Sequence, residues 1–187
     1  MRLFVAIDID EQTRAQLASV RAAVQAVLDQ SSIPPRVTWV KDESAHVTLR
    51  FIGNTSEAVA IQIQEALMKR WPVAPFDVRW EQIGAFPGGR RPRVVWIGPG
   101  SANQVATLAR LVNERLDPLI GPGETRPFTP HLTLGRVKES GVGVDWARAL
   151  GAAAWVPTTT RVDHVTLYSS RLSPKGPTYT ALCKAPL

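Results

Sequence analysis

Apolar positions along the chain alternate between two periods, and the changes of period mark the elements. Leu3 to Asp8 is a continuous apolar run and reads as a buried strand. Asp10 can cap a helix running to about Asp29, with Leu17, Val20, Val24 and Val27 or Leu28 on one face. Ser31 to Pro35 ends it, and Val37 to Val40 forms a short strand. A strand from His46 stops at Gly53-Asn54. Ser56 then caps a second helix carrying Val59, Ile63, Ala66 and Leu67 inward. Phe76, Val78 and Trp80 alternate as a strand, Gly84 to Arg93 reads as a loop, and Val94 to Ile97 is the next strand. Ser101 is the expected cap of a third helix, with Val105, Leu108, Val112 and Leu116 in register. The Gly/Pro-rich stretch from Gly121 to Pro130 leads into a strand at His131. A short helix around Asp145 to Leu150, a strand at His164, a turn from Ser173 to Pro177 and a strand from Thr178 to Lys184 complete the chain. Mixed helices and strands joined by short turns predict an α+β fold with antiparallel sheet.

The chain has three histidines, and each sits in the same tetrapeptide: His46-Val47-Thr48-Leu49, His131-Leu132-Thr133-Leu134 and His164-Val165-Thr166-Leu167. In a strand, His and Thr point to one face and the apolar residues to the other. A half-buried strand of purely structural role has this pattern too, but three copies that use every histidine point to a site. The first two copies run through a turn into a helix and lie close to half the chain length apart, a weak internal repeat. The third leads into a hairpin.

Charge adds a partner class. The 187 residues carry a formal net charge of +6 and a sequence pI near 10.1, which suits RNA, DNA or a phosphorylated small molecule. Hydrophobic residues at 44% allow a substantial core. The single cysteine, Cys183, excludes an internal disulfide and a multi-cysteine metal cluster, and reads as a small core residue. No apolar run reaches membrane-spanning length, and Met1 to Phe4 meets Asp8 and Asp10 too soon for a signal peptide, so a cytoplasmic protein is expected.

Two His-x-Thr strands related by an approximate twofold would place two imidazoles across one cleft. One can be neutral and act as general base while the other, protonated, acts as general acid. Threonine hydroxyls and arginines would hold phosphate oxygens. Arg50 falls on the face of His46 and Thr48 by alternation. Arg136 falls on the face opposite His131, unless Gly135 marks a bulge that turns it back. The residues thus predict a phosphodiester cleaved by acid–base catalysis without metal. The rivals are a three-histidine metal site, for which the spacing is no recognised ligand pattern, and a non-catalytic RNA-binding module using the basic loop with Phe51, Phe86 and Trp96. Alternation assigns Phe51 to the core instead.

The two motifs, one followed by Arg50-Phe51-Ile52-Gly53 and the other preceded by Pro127-Phe128-Thr129-Pro130, resemble the two-histidine phosphoesterases. Within that superfamily they are most similar to the bacterial and archaeal RNA 2′,3′-cyclic phosphodiesterases, historically named 2′-5′ RNA ligases. Arg2 to Asp8, Phe86-Pro87, Arg91 to Trp96 and Gly176 to Tyr179 share the likeness, which spans nearly the whole chain. It implies one bilobal α+β domain over residues 1–187, with two antiparallel β-sheets lining a central cleft, helices outside and pseudo-twofold related lobes. It implies hydrolysis of RNA 2′,3′-cyclic phosphate ends to a 2′-phosphate, with reversible 2′-5′ ligation and small cyclic nucleotides as related reactions. Motif for motif, His46 becomes the proton donor and His131 the proton acceptor, and Thr48, Thr133 and Arg136 bind the phosphate. No cofactor, metal or membrane is implied, and a monomer is expected. RNA contacts are expected from Arg50, from Arg90, Arg91 and Arg93 in the basic loop, and from His164 and Tyr168 at the cleft rim. His164 departs from the family pattern, and an ordinary strand histidine is the plainer reading. Lys175 in the last turn is expected to be solvated.

Overall fold

The computed structural model describes residues 1–124, 126–174 and 176–187. Thr125 of the Gly/Pro-rich connection and Lys175 of the last turn lie outside the described residues. The strands are β1 (Arg2–Asp8), β2 (Arg36–Trp39), β3 (His46–Asn54), β4 (Phe76–Phe86), β5 (Val94–Pro99), β6 (Leu132–Glu139), β7 (Thr158–Val162), β8 (His164–Ser173) and β9 (Gly176–Pro186). The helices are α1 (Glu11–Leu28), α2 (Glu57–Met68), α3 (Asn103–Ile120) and α4 (Trp146–Gly151).

Two antiparallel sheets result, in the orders β3-β1-β8-β9 and β2-β6-β5-β4-β7. The repeat is visible in the connections. Both β1-α1-β3-α2 and β5-α3-β6-α4 pair their two strands, although β2 lies between α1 and β3 in sequence. After α2 the chain crosses to the second sheet as β4, and after α4 and β7 it returns to the first as β8. Each sheet is completed by strands from the other half of the sequence. The sheets meet where β3 and β6 touch.

The helices pack as their periodicity requires. Leu17, Val20, Val24 and Leu28 of α1 are buried, as are Ala60, Ile63, Ala66 and Leu67 of α2 and Val105, Leu108, Val112 and Leu116 of α3. Each large apolar side chain so buried contributes roughly 1.5–3 kcal/mol relative to exposure. Asp10, Ser56 and Asp145 are side-chain caps, accepting from the backbone N–H of Thr13, Val59 and Arg148. Among the described residues no helix is long and apolar enough to cross a membrane.

Two expectations change, and one strand, β7, has no counterpart among the expected elements. Ser101 does not cap α3; the cap position is Ala102, which makes no side-chain hydrogen bond. The segment from Gly84 to Phe86 is strand, because β4 continues its pairing with β5 as far as Phe86↔Val94. Strand β7 has little apolar signature, because its inward residues Thr158 and Thr160 satisfy one another's hydroxyls through Thr13.

Candidate active site

Strand β3 and the start of β6 face a cleft of about 690 Å³, a size suited to a small ligand. His46 and Thr48 line one wall, and His131, Thr133 and Arg136 the other. Arg2, Lys41 and Lys138 add cations, and no Asp or Glu is among the described residues lining the cleft. Such a surface concentrates anions.

The two imidazoles are oriented alike. His46 Nδ1 lies 2.8 Å from the carbonyl oxygen of Ser44, and His131 Nδ1 lies 2.8 Å from that of Thr129. A carbonyl only accepts, so in each ring Nδ1 carries the hydrogen and Nε2 is left free. Each free Nε2 can take a proton as neutral imidazole or give one as imidazolium. The carbonyl lies two residues upstream in both cases, so the repeat extends to the hydrogen bond that fixes the tautomer.

A bulge follows each motif at the same place. In the β1–β3 ladder Ala6 pairs with Thr48 and Val5 with Arg50, skipping Leu49. In the β5–β6 ladder Trp96 pairs with Thr133 and Val95 with Gly135, skipping Leu134. Two consecutive residues in each strand then point inward, and alternation resumes in the opposite sense. Arg136 is thereby exposed on the cleft wall, as the Gly135 bulge would have it. A Cβ at Gly135 would come within 2.6 Å of the Trp39 ring, so the bulge also needs a glycine there.

The same device overturns two expectations in β3. Arg50 does not face the cleft. It is 5% exposed and turns to the end of α3, donating to Asn113 Oδ1 at 2.6 Å, Asp117 Oδ1 at 2.7 Å and the Gly121 carbonyl at 2.6 Å. Phe51 is not in the core. It is 54% exposed, lines the cleft and lies under the Arg2 guanidinium, 4.8 Å from its ring centroid.

The other expected contacts lie elsewhere. Arg90 and Arg91 line a separate recess of about 360 Å³ with Ser140, Gly141, Gly143 and Val144. Arg93 lines neither cavity, and its backbone N–H donates to the Phe86 carbonyl. His164 and Tyr168 are not part of the cleft lining. His164 Nε2 and Nδ1 meet Asp8 Oδ2 at 3.1 Å and Asp163 Oδ1 at 2.5 Å, and Tyr168 donates to Asp8 Oδ1 at 2.6 Å. The three histidines therefore do not converge, and among the described residues no group of three His, Cys, Asp or Glu side chains could hold a metal ion.

Aromatic rings hold the two histidines, and their role was not legible in the motifs. Phe4 stacks on His46 at 4.7 Å, and Tyr179 meets it edge-on at 5.2 Å. Phe86 meets His131 edge-on at 5.4 Å and itself stacks on Trp96 at 4.8 Å. The Trp96 ring lies over Gly84 and Gly98, where a Cβ would collide with it. Burial lowers the proton affinity of His46 below the usual imidazole value. The Ser44 carbonyl and Asp8 act in the opposite sense, while Arg136 and His131 add to the lowering.

The fold and the site define an α+β protein in which two like imidazole–hydroxyl pairs face one cationic cleft. The chain belongs to the 2′-5′ RNA ligase superfamily, whose family model matches residues 9–173. It is 37% identical over 183 residues to an RNA 2′,3′-cyclic phosphodiesterase of Archaeoglobus fulgidus, covering 97% of this chain and 98% of the relative. It is 31% identical to one of Thermotoga maritima, covering 97% and 93%. Among solved structures, a protein of Thermus thermophilus superposes with a TM-score of 0.78 at 30% identity, covering 100% of this chain and 98% of that one. Escherichia coli LigT complexed with 3′-AMP superposes with a TM-score of 0.73 at 25% identity, covering 100% and 97%.

Proposed function

We propose that the protein hydrolyses 2′,3′-cyclic phosphate ends of RNA to 2′-phosphates, with His46 and His131 as an acid–base pair that needs no metal. The observation that carries this reading is the shared Nδ1–carbonyl hydrogen bond, which presents two Nε2 atoms as proton-transfer groups in one cleft. The relatives named RNA 2′,3′-cyclic phosphodiesterase support the choice of substrate.

In the hydrolytic direction a water oxygen attacks phosphorus and His131 Nε2 takes its proton. The P–O3′ bond breaks, and His46 Nε2 protonates the departing 3′ oxygen. The products are a 2′-phosphomonoester and a 3′-hydroxyl. Thr48 and Thr133 donate to the non-bridging oxygens, and Arg136 neutralises them. The lowered proton affinity of His46 makes its imidazolium a stronger acid. The anionic phosphate supplies the charge that keeps it protonated. The exposed Phe51 ring, backed by Arg2, is the surface on which a nucleobase stacks.

We further infer that the chain acts as one unit and as a monomer, because both walls of the cleft come from one chain whose sheets exchange strands. An oligonucleotide ending in a 2′,3′-cyclic phosphate tests the reading, with phosphorus NMR of the product. Multiple turnovers to a 2′-phosphate are expected. Salt-sensitive binding with an unchanged substrate would instead indicate an RNA-binding module. A small cyclic nucleotide in parallel measures how much the RNA chain matters.

A further inference from the structure

The third His-x-Thr-Leu copy converges on one carboxylate. His164, Thr166 and Tyr168 lie on one face of β8 and all bond Asp8 of β1. His164 Nε2 meets Oδ2 at 3.1 Å, Thr166 Oγ1 donates to Oδ2 at 2.9 Å, and Tyr168 Oη donates to Oδ1 at 2.6 Å. Lys184 Nζ on neighbouring β9 stands 3.2 Å from the same carboxylate. Four donors on one half-buried carboxylate exceed what an incidental strand histidine would gather. Asp8 in turn is the register partner of His46 in the β1–β3 ladder. The Tyr168 ring lies between the two sites, stacked on Phe4 at 5.3 Å and 6.2 Å from His46.

We propose that the third motif is a carboxylate clamp, in which His164, Thr166 and Tyr168 fix Asp8 beside the His46 half-site, and that Asp8 acts through His46 as a positioning residue. The proposal rests on the role given to His46 above. The cleft wall around His46 is cationic, with Arg136 and His131 both opposing a proton there. Asp8 is the carboxylate that opposes them and favours the proton the donor must carry. Burial alone would raise the Asp8 carboxyl, but the bonds from Tyr168, His164, Thr166 and Lys184 outweigh it and hold the group ionised. The groups facing this assembly are Lys184 from β9, Asp163 beside His164, and Arg14 of α1, whose charge reaches Tyr168.

The test is the titration of the His46 ring by nitrogen NMR, with the pH profile of turnover beside it. Asp8→Asn should lower the His46 midpoint by about half a pH unit, the scale of one charge about a strand spacing away in a partly solvated site. The high-pH limb of kcat should move down with it. Lys184→Gln, at an exposed position that leaves the fold intact, should shift both in the opposite direction. Opposite shifts support the clamp, because a merely structural role would change melting without them. Unmoved midpoints in Lys184→Gln and in folded Asp8→Asn, or shifts of one sign, overturn it. The ring titration does not depend on substrate, so an inactive wild type would refute the proposed reaction and leave the clamp to be decided by NMR.

Discussion

Phe51 and Arg136 occupy equivalent places in the two halves of the protein. Each stands five residues beyond its histidine, and each is carried to the cleft wall by a bulge at the same step of its ladder. The halves match in backbone, histidine and threonine, and differ in what they present at this position. One offers a guanidinium and the other an aromatic ring, an asymmetry that in the proposed reaction sets the side on which the nucleoside lies.

Replacing these two residues should therefore separate two kinds of loss. Arg136→Ala removes a charged donor from the reacting phosphate and should lower kcat/KM by about 10²–10³-fold. Phe51→Ala should act mainly on KM, by roughly 5–100-fold, the range of one stacked base at about 1–3 kcal/mol. Steady-state kinetics on a cyclic-phosphate dinucleotide checks both. A kcat loss in Phe51→Ala with KM unchanged would contradict the stacking role.

Arg50 should behave as a structural residue. Its guanidinium is buried and bonded to Asn113, Asp117 and the last carbonyl beyond α3, so truncation leaves polar groups uncompensated. Arg50→Ala should cost about 3–5 kcal/mol of stability, read from denaturant unfolding. The folded fraction should keep its phosphate affinity, as Arg136 and the threonines are untouched.

Trp96 braces Phe86, and Phe86 braces His131. Gly84→Ala places a methyl group under the Trp96 ring and should displace that stack. A fall in kcat larger than the change in stability implies is expected, with the His131 ring resonances shifted. Unchanged ring resonances in a folded variant would show that the brace has no influence on His131.

His46 should titrate below 6.5 in the free protein, burial being the leading cause. Between its folded value and 6.5 the folded state binds fewer protons than the unfolded chain. This residue's contribution to stability thus rises with pH through that window and is lost as pH falls through it. Tyr179→Ala opens the aromatic wall and should move the midpoint up toward the ordinary value. A midpoint that stays put would mean that burial by Tyr179 is not the cause.

Local patterns in the sequence were enough to place most of the α+β elements, the Asp10 and Ser56 caps and both His-x-Thr strands, but not β7 or the Asp145 cap. Alternation failed at the bulges, where one extra residue reverses every later side chain. Gly135 signalled its bulge, but Leu49-Arg50 carries no glycine, so Arg50 and Phe51 were placed on each other's faces. The partners of His164 were equally hidden. Asp8 lies 156 residues away in sequence, and only the return of β8 to the first sheet brings the two together. The aromatic walls around the histidines depend on strand pairing too: Phe4 reaches His46 through β1–β3, Tyr179 through the return of β8 and β9, and Phe86 reaches His131 across β4, β5 and β6.

The proposed reaction is carried by two histidines, and not by three or by a metal. It is tested by single replacement of His46, His131 and His164 with Ala and assay of a 2′,3′-cyclic phosphate oligonucleotide in EDTA. His46→Ala and His131→Ala should each fall by about 10²–10⁴-fold, while His164→Ala falls far less and the wild type is unaffected by the chelator. Full activity in His131→Ala, or abolition of wild-type activity by EDTA, would contradict the account.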